Sequence, residues 1–133
     1  MTLVLTVEGG TARRALDAVL AAAGAAHESG RAYEPGEGPY VLDVLARVVR
    51  TPDRTVPVVL GTPAVGEVGI VEYLLIDRAF PDVPGEATVL AELAELPVMS
   101  VEDLHEALAA AALARALGVS ADAVRHGLAA LHH

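Results

Sequence analysis

The chain has 133 residues, enough for one domain that buries roughly two thirds of the surface its unfolded form exposes. It is 53% hydrophobic but only 3% aromatic, with a mean hydropathy of +0.47, so a core must be built from Ala, Val and Leu. Nine basic against eighteen acidic side chains leave a net charge of −9, which argues against nucleic acid or an anionic membrane as a partner.

All nine cations are Arg, and the chain has no Lys, Cys, Asn, Gln or Trp. These absences remove disulfides, thiolate nucleophiles, Cys-type zinc sites and iron–sulfur clusters. They also remove Schiff-base chemistry and a P-loop lysine. Side-chain catalysis would have to come from His, Asp, Glu, Tyr, Ser, Thr or Arg. The opening residues, Met1 to Glu8, lack the basic region and cleavage site of a signal peptide. No apolar run reaches the ~18 residues of a membrane span. The expectation is a soluble cytoplasmic protein, and the Ala- and Arg-rich, Lys-free composition points to a GC-rich bacterial source.

In chain order, residues 3–7 form an apolar, β-branched strand, punctuated by Glu8-Gly9-Gly10. Residues 11–23 have helical spacing, with Ala15, Leu16, Val19, Leu20 and Ala23 on one face and Gly24 as the stop. Strand, Gly turn and helix open an α/β unit. Residues 25–39 are polar and rich in Gly and Pro, with a short strand near 31–33. Residues 40–49 read as a second helix, its stripe being Val41, Leu42, Leu45, Val48 and Val49 and its end Thr51-Pro52-Asp53. A buried strand follows at 56–60, with Pro57 placing it at an edge or an early strand position. Residues 61–66 are a turn-rich link. Strands at 68–72, 74–80 and 88–93 lie close enough for an antiparallel meander. Ser100, with Asp103 three residues on, caps a helix that runs to Leu117 and stops at Gly118. Ser120 opens a last helix over 121–131. His132 and His133 are given no function. The fold class is therefore α/β over residues 1–133: a single small mixed sheet with an N-terminal strand–Gly turn–helix, an antiparallel hairpin or meander around 66–93, and two C-terminal helices.

The run Ala107-Leu108-Ala109-Ala110-Ala111-Ala112-Leu113-Ala114-Arg115-Ala116-Leu117-Gly118-Val119, followed by Ala123-Val124-Arg125-His126-Gly127-Leu128, resembles the end of the central domain of Mur ligases. There the pattern is HNxxNALAAxALA, then LGV, then a short helix ending GL. Gly69-Ile70-Val71-Glu72 and Leu75-Ile76-Asp77-Arg78-Ala79-Phe80 resemble the hairpin upstream of it in the D-glutamate-adding branch, and Gly61-Thr62-Pro63 fits the segment before that. Thr6 to Arg13 falls on the P-loop consensus TGTNGKTT, and Gly36 to Leu45 on the segment after the second strand. The resemblance implies an ATP-binding α/β domain that normally lies between a nucleotide-sugar-binding domain and a C-terminal domain. This chain is too short for either. No equivalent of the family's metal-binding glutamate, magnesium-site histidine or modified lysine can be picked out between Val49 and Val56.

The matched motifs have also changed chemically. Thr11 stands where the family has Lys, Ala12 where it has the magnesium-ligating hydroxyl, and Glu8 puts a carboxylate inside the loop. Gly9, Gly10 and the helix start still offer backbone N–H donors, and Arg13 and Arg14 lie one turn in. In the HNxxN position the chain reads Glu102-Asp103-Leu104-His105-Glu106. The family's amides there both donate and accept, whereas ionised carboxylates only accept. Gly9, Gly10, Thr11, Arg13, Arg14, Glu102, Asp103 and Glu106 are the candidate ligand-binding residues, and ATP-dependent ligation is not expected from them.

Plain structural roles compete with this assignment. Acids in a first helical turn complement the macrodipole at about 0.3–1 kcal/mol each. Asp77-Arg78 reads as an ordinary structural ion pair in a strand, and Arg13-Arg14 as a solvated helix face. Two acid–base groups compete in turn: His27 as base with Glu8 or Glu34 as orienter and Tyr33 or Tyr40 as donor at the sheet's carboxyl edge, and Glu102 with His105 or Glu106 on one face of the first turn after Ser100, which as a metal site would need a third ligand that the sequence does not offer. No metal or other cofactor is expected. Two functions follow: a non-ligase binding or scaffold domain, and a repurposed cofactor-independent cyclase, isomerase or dehydratase. Loss of flanking domains exposes apolar surface, so a homo-oligomer, in the simplest case a dimer, is expected, together with a possible small-molecule ligand.

Overall fold

A computed structural model describes residues 3–7, 10–26 and 38–131. The chain begins with strand β1 (Leu3–Val7), helix α1 (Gly10–Ala26) and strand β2 (Gly38–Asp43). β1 and β2 are parallel, with Leu5 opposite Tyr40 and Val7 opposite Leu42. This is the expected α/β opening. The apolar stripe of α1 faces inward, since Ala15, Leu16, Val19 and Ala23 are all buried. The helix passes through Gly24, the expected stop, and ends at Ala26. The strand expected near 31–33 lies outside the described residues.

The helix expected at 40–49 is not formed. β2 is followed by a turn at residues 44–47 and by β3 (Val48–Arg50), which pairs antiparallel with β2. Asp43 fixes the turn: its Oδ1 accepts from the Ala46 N–H at 3.0 Å and its Oδ2 from Arg50 Nη1 at 2.8 Å. Leu45, placed on the helical stripe, is 91% exposed at the tip. β4 (Thr55–Pro57) closes this four-stranded sheet in the order β1-β2-β3-β4, so Pro57 sits on an edge as expected.

The meander is a second sheet rather than part of the first. β5 (Val68–Val71), β6 (Leu74–Asp77) and β7 (Thr88–Glu92) are antiparallel in that order. A parallel bridge between Val58 and Val68 links the two sheets, and the Ile70 N–H reaches the Gly61 carbonyl at 2.9 Å. A Cβ on Gly69 would lie 2.3 Å from that carbonyl oxygen, so only glycine lets the 59–63 segment run this close.

α2 (Val101–Ala116) is the centre of the molecule. Ser100 caps it by accepting from the Asp103 N–H at 3.1 Å. Every residue from Ala107 to Ala114 is buried, the pattern of a helix enclosed on all sides. It packs on α1, both sheets and α3 (Ala121–Ala129). The small alanines let these neighbours come close. The same holds at Gly127, where a Cβ would meet the Val19 Cα at 2.4 Å, so α3 lies directly on α1. Gly118, with φ of 91°, supplies the left-handed residue after α2. Among the described residues no helix is long and apolar enough to cross a membrane.

Candidate functional site

The amino terminus of α1 lies beside the first turns of α2. α1 follows β1 and starts at Gly10, so its first free N–H groups face the carboxyl edge of the parallel pair, where open α/β sheets bind ligands. Thr11 Oγ1 donates to Asp103 Oδ1 at 2.8 Å, and the Ala12 N–H donates to Glu106 Oε1 at 3.1 Å. Arg14 Nη2 in turn donates to Thr11 Oγ1 at 3.1 Å. Thr11 is nearly buried and Ala12 fully so. Glu106 therefore takes one free N–H of this terminus, and Asp103 takes the Thr11 hydroxyl beside it.

The expected ligand-binding residues come together more tightly than their sequence positions implied. Thr11, Arg14, Asp103 and Glu106 form one hydrogen-bonded group, whereas the family pattern would put them at opposite ends of a nucleotide. Arg13 turns away toward Asp17, 3.8 Å distant and exposed. Glu102 is exposed and lines a neighbouring cavity of about 310 Å³ with Val44, Leu45, Arg47, His105 and Glu106. Gly9, Glu8, His27, Tyr33 and Glu34 lie outside the described residues. Tyr40 is buried in β2 and lines a different cavity, with Arg54, Phe80 and Ala116. It does not share a cavity with the 102–106 turn.

Sequence reasoning names His105 but not its contact, and it misses Arg47 at this site and, away from it, Arg115. Arg47 reaches the cavity only because 44–47 is a turn, with Arg47 at φ of 56°. His105 is buried, and its Nε2–H donates to the Val58 carbonyl at 2.8 Å, tying α2 to the segment after β4. Arg115 is the true partner of Asp77. Its Nε meets Asp77 Oδ2 at 2.9 Å, and its Nη2 meets Asp82 Oδ1 at 2.8 Å and the Phe80 carbonyl at 2.6 Å. Burial pulls the Arg115 pKa down, but the hydrogen bonds to Asp82 and Asp77 outweigh it, and the guanidinium is held above its ordinary range. The Asp77–Arg78 pair is thus not formed; Arg78 instead donates to the Pro63 carbonyl. An acid in a strand and an arginine in an Ala-rich helix, 38 residues apart, offer no local pattern that would have paired them.

The arrangement does not fit a magnesium–triphosphate. No cation stands at position 11, and Ala12 has no hydroxyl for the metal. Two carboxylates already use Thr11 and the Ala12 N–H. A phosphate charge ~4 Å from either would meet repulsion of about 1 kcal/mol in water and about 4 kcal/mol near a protein surface.

Similarity to known proteins follows the matched motifs. The chain is 42% identical over 113 residues to a UDP-N-acetylmuramoylalanine–D-glutamate ligase of Streptomyces avermitilis, covering 77% of this chain and 24% of the relative. It is 53% identical over 70 residues to the same-named ligase of Thermobifida fusca, covering 52% and 15%. The Rhodococcus jostii ligase of that name is 53% identical over 77 residues, covering 58% and 15%. The chain thus spans at most about a quarter of the length of these relatives. The Streptomyces alignment is too long to fit within the C-terminal half, so it extends upstream of residue 61. No family model matches the chain, and no solved structure matches it.

Proposed function

We propose, from the premise that this chain is a partial homologue of the UDP-N-acetylmuramoylalanine–D-glutamate ligases, that it is a Mur-ligase-like domain, residues 1–133, without ATP-dependent ligase activity. It acts as a cytoplasmic binding or scaffold domain that assembles with a second copy. The observation that carries this reading is the contact of Glu106 with the Ala12 N–H, reinforced by Asp103 on Thr11. An internal carboxylate satisfies one donor of the helix terminus without a ligand, and it does so covalently tethered, at a high effective concentration. Arg14 balances part of that charge through Thr11.

The test is to neutralise the two acids. In the Asp103→Asn/Glu106→Gln double variant, inorganic phosphate should shift the Ala12 amide resonance saturably, and in the unaltered chain it should not. Equal phosphate binding by both proteins would show that the carboxylates do not occupy an anion position.

The second reading, a small cofactor-independent acid–base enzyme, is favoured by one feature. The cavity beside β2 gathers Arg47, Glu102, His105 and Glu106. Against it, the His105 Nε2–H is engaged by a main-chain carbonyl and Glu106 by a helix terminus. If this reading holds, Glu102→Gln should abolish a turnover that the Asp103→Asn variant keeps.

A further inference from the structure

The cavity beside β2 is held together by one buried residue. Val58, just after β4, donates its N–H to the Arg47 carbonyl at 3.0 Å, and its own carbonyl accepts from His105 Nε2 at 2.8 Å. The β2–β3 turn and the first turns of α2 are thereby fixed around a space of about 310 Å³, lined by Val44, Leu45, Arg47, Glu102, His105 and Glu106. Arg47 holds a φ of 56°, a conformation for which turns ordinarily use Gly or Asn. A long side chain keeps that backbone only where its surroundings impose it, and such positions gather at ligand sites.

The polar groups around this space are left open. His105 is only 5% exposed. A carbonyl can only accept, so Nε2 carries the proton in the bond to Val58, and the neutral ring keeps a lone pair on Nδ1. Among the described residues Nδ1 has no hydrogen-bond partner, yet no buried side-chain nitrogen or oxygen lacks one, so Nδ1 opens onto the cavity. The Arg47 guanidinium and the Glu102 carboxylate also have no partner among the described residues, and although they line one cavity they do not pair with each other. Glu106 gives Oε1 to the Ala12 N–H, and its Oε2 has no partner among the described residues.

We propose that this cavity binds a free α-amino acid with an apolar side chain. The inference rests on reading the chain as a binding domain and names the ligand that it takes. A ligand that is only a cation would set its charge against Arg47, and one that is only an anion would meet Glu102 and Glu106. A zwitterion answers both. Its ammonium has three N–H donors, and the cavity offers it the Glu102 carboxylate, Glu106 Oε2 and His105 Nδ1 as acceptors. The planar fork of Arg47 matches its carboxylate in two parallel hydrogen bonds. Val44 and Leu45, the latter 91% exposed, supply an apolar wall for its side chain. The α1 terminus is not disturbed, because the ligand uses the oxygen of Glu106 that Ala12 leaves free.

Titration with DL-leucine, followed by amide resonances, tests this without assuming a handedness. The Arg47, Val58, Glu102, His105 and Glu106 amides should shift saturably, with half-saturation below about 1 mM, and the His105 Nδ1 resonance should move with them. Isocaproate, which lacks the ammonium, and isoamylamine, which lacks the carboxylate, should each bind about tenfold more weakly or worse. Arg47→Gly relaxes the turn while removing the fork, and Glu102→Gln removes the charge of one acceptor. Each should weaken leucine binding about tenfold or more, with circular dichroism showing the fold intact. Equal binding of either half-ligand, or of leucine by either variant, overturns the site. No saturation by leucine overturns it as well, while leaving standing the Glu106–Ala12 contact, which the phosphate titration reports separately.

Discussion

The two ends of α2 do opposite work. At its carboxyl end Arg115 is enclosed, and all its hydrogen bonds go to fixed partners: Asp77, Asp82, and the carbonyls of Phe80 and Val119. At its amino end Asp103 and Glu106 are only half-buried and reach across to the terminus of another helix. Both ends obey the macrodipole, acids at the start and a cation at the finish. Only the amino end occupies a position where an α/β sheet would take a ligand. The contrast teaches that charge at a helix terminus can close a structure or replace a ligand, and that burial separates the two.

The largest expected effect lies at the carboxyl end. Arg115→Ala strands Asp77 in the core, and removing one partner of a buried pair costs about 3–5 kcal/mol. Urea unfolding should register that loss, and a change under about 1 kcal/mol would mean that the network contributes little. Next comes the seat of α1. Gly127→Ala forces a methyl against the Val19 backbone and should destabilise by about 1–3 kcal/mol, read by thermal melting. At the amino end Glu106→Ala removes a side-chain cap and should cost about 0.5–2 kcal/mol. A cost as large as that of Arg115→Ala would erase the distinction between the two ends.

The smallest effects are at the surface. The Arg50 hydrogen bond holds Asp43 below its ordinary 3.8, and the Arg125 hydrogen bond holds Glu95 below its ordinary 4.5. Each carboxylate is depressed in the folded chain, so its contribution is complete above those ordinary values and fades as pH falls through the lower folded ones. Arg125→Gln should therefore narrow the difference in melting temperature between neutral pH and about pH 3, and an unchanged difference would exclude the pair as a contributor.

The second half of the chain was legible because its signals were local. Ser100 and Ser120 mark helix starts, Gly118 a helix end, and the closely spaced strands a meander. All became structure. Residues 40–49 misled because two short strands and a four-residue turn place Val41, Leu42, Leu45, Val48 and Val49 at helix-like spacing. The β-branched valines were the countersignal, and Asp43 the turn former. At the site, the residues expected to bind a ligand could be named from the sequence, but not the contact that joins them. Thr11 and Asp103 are 92 residues apart, and only the packing of α1 on α2 joins them. The hydrophobic composition also had a different meaning, since much of it is the alanine of α2, buried inside the chain.

Calorimetric titration of the chain with ATP and magnesium tests the central claim most directly. Asp103 and Glu106 on the α1 terminus should leave no saturable heat, even at millimolar nucleotide. Micromolar binding that also moves the Gly10, Thr11 and Ala12 amides would contradict the account.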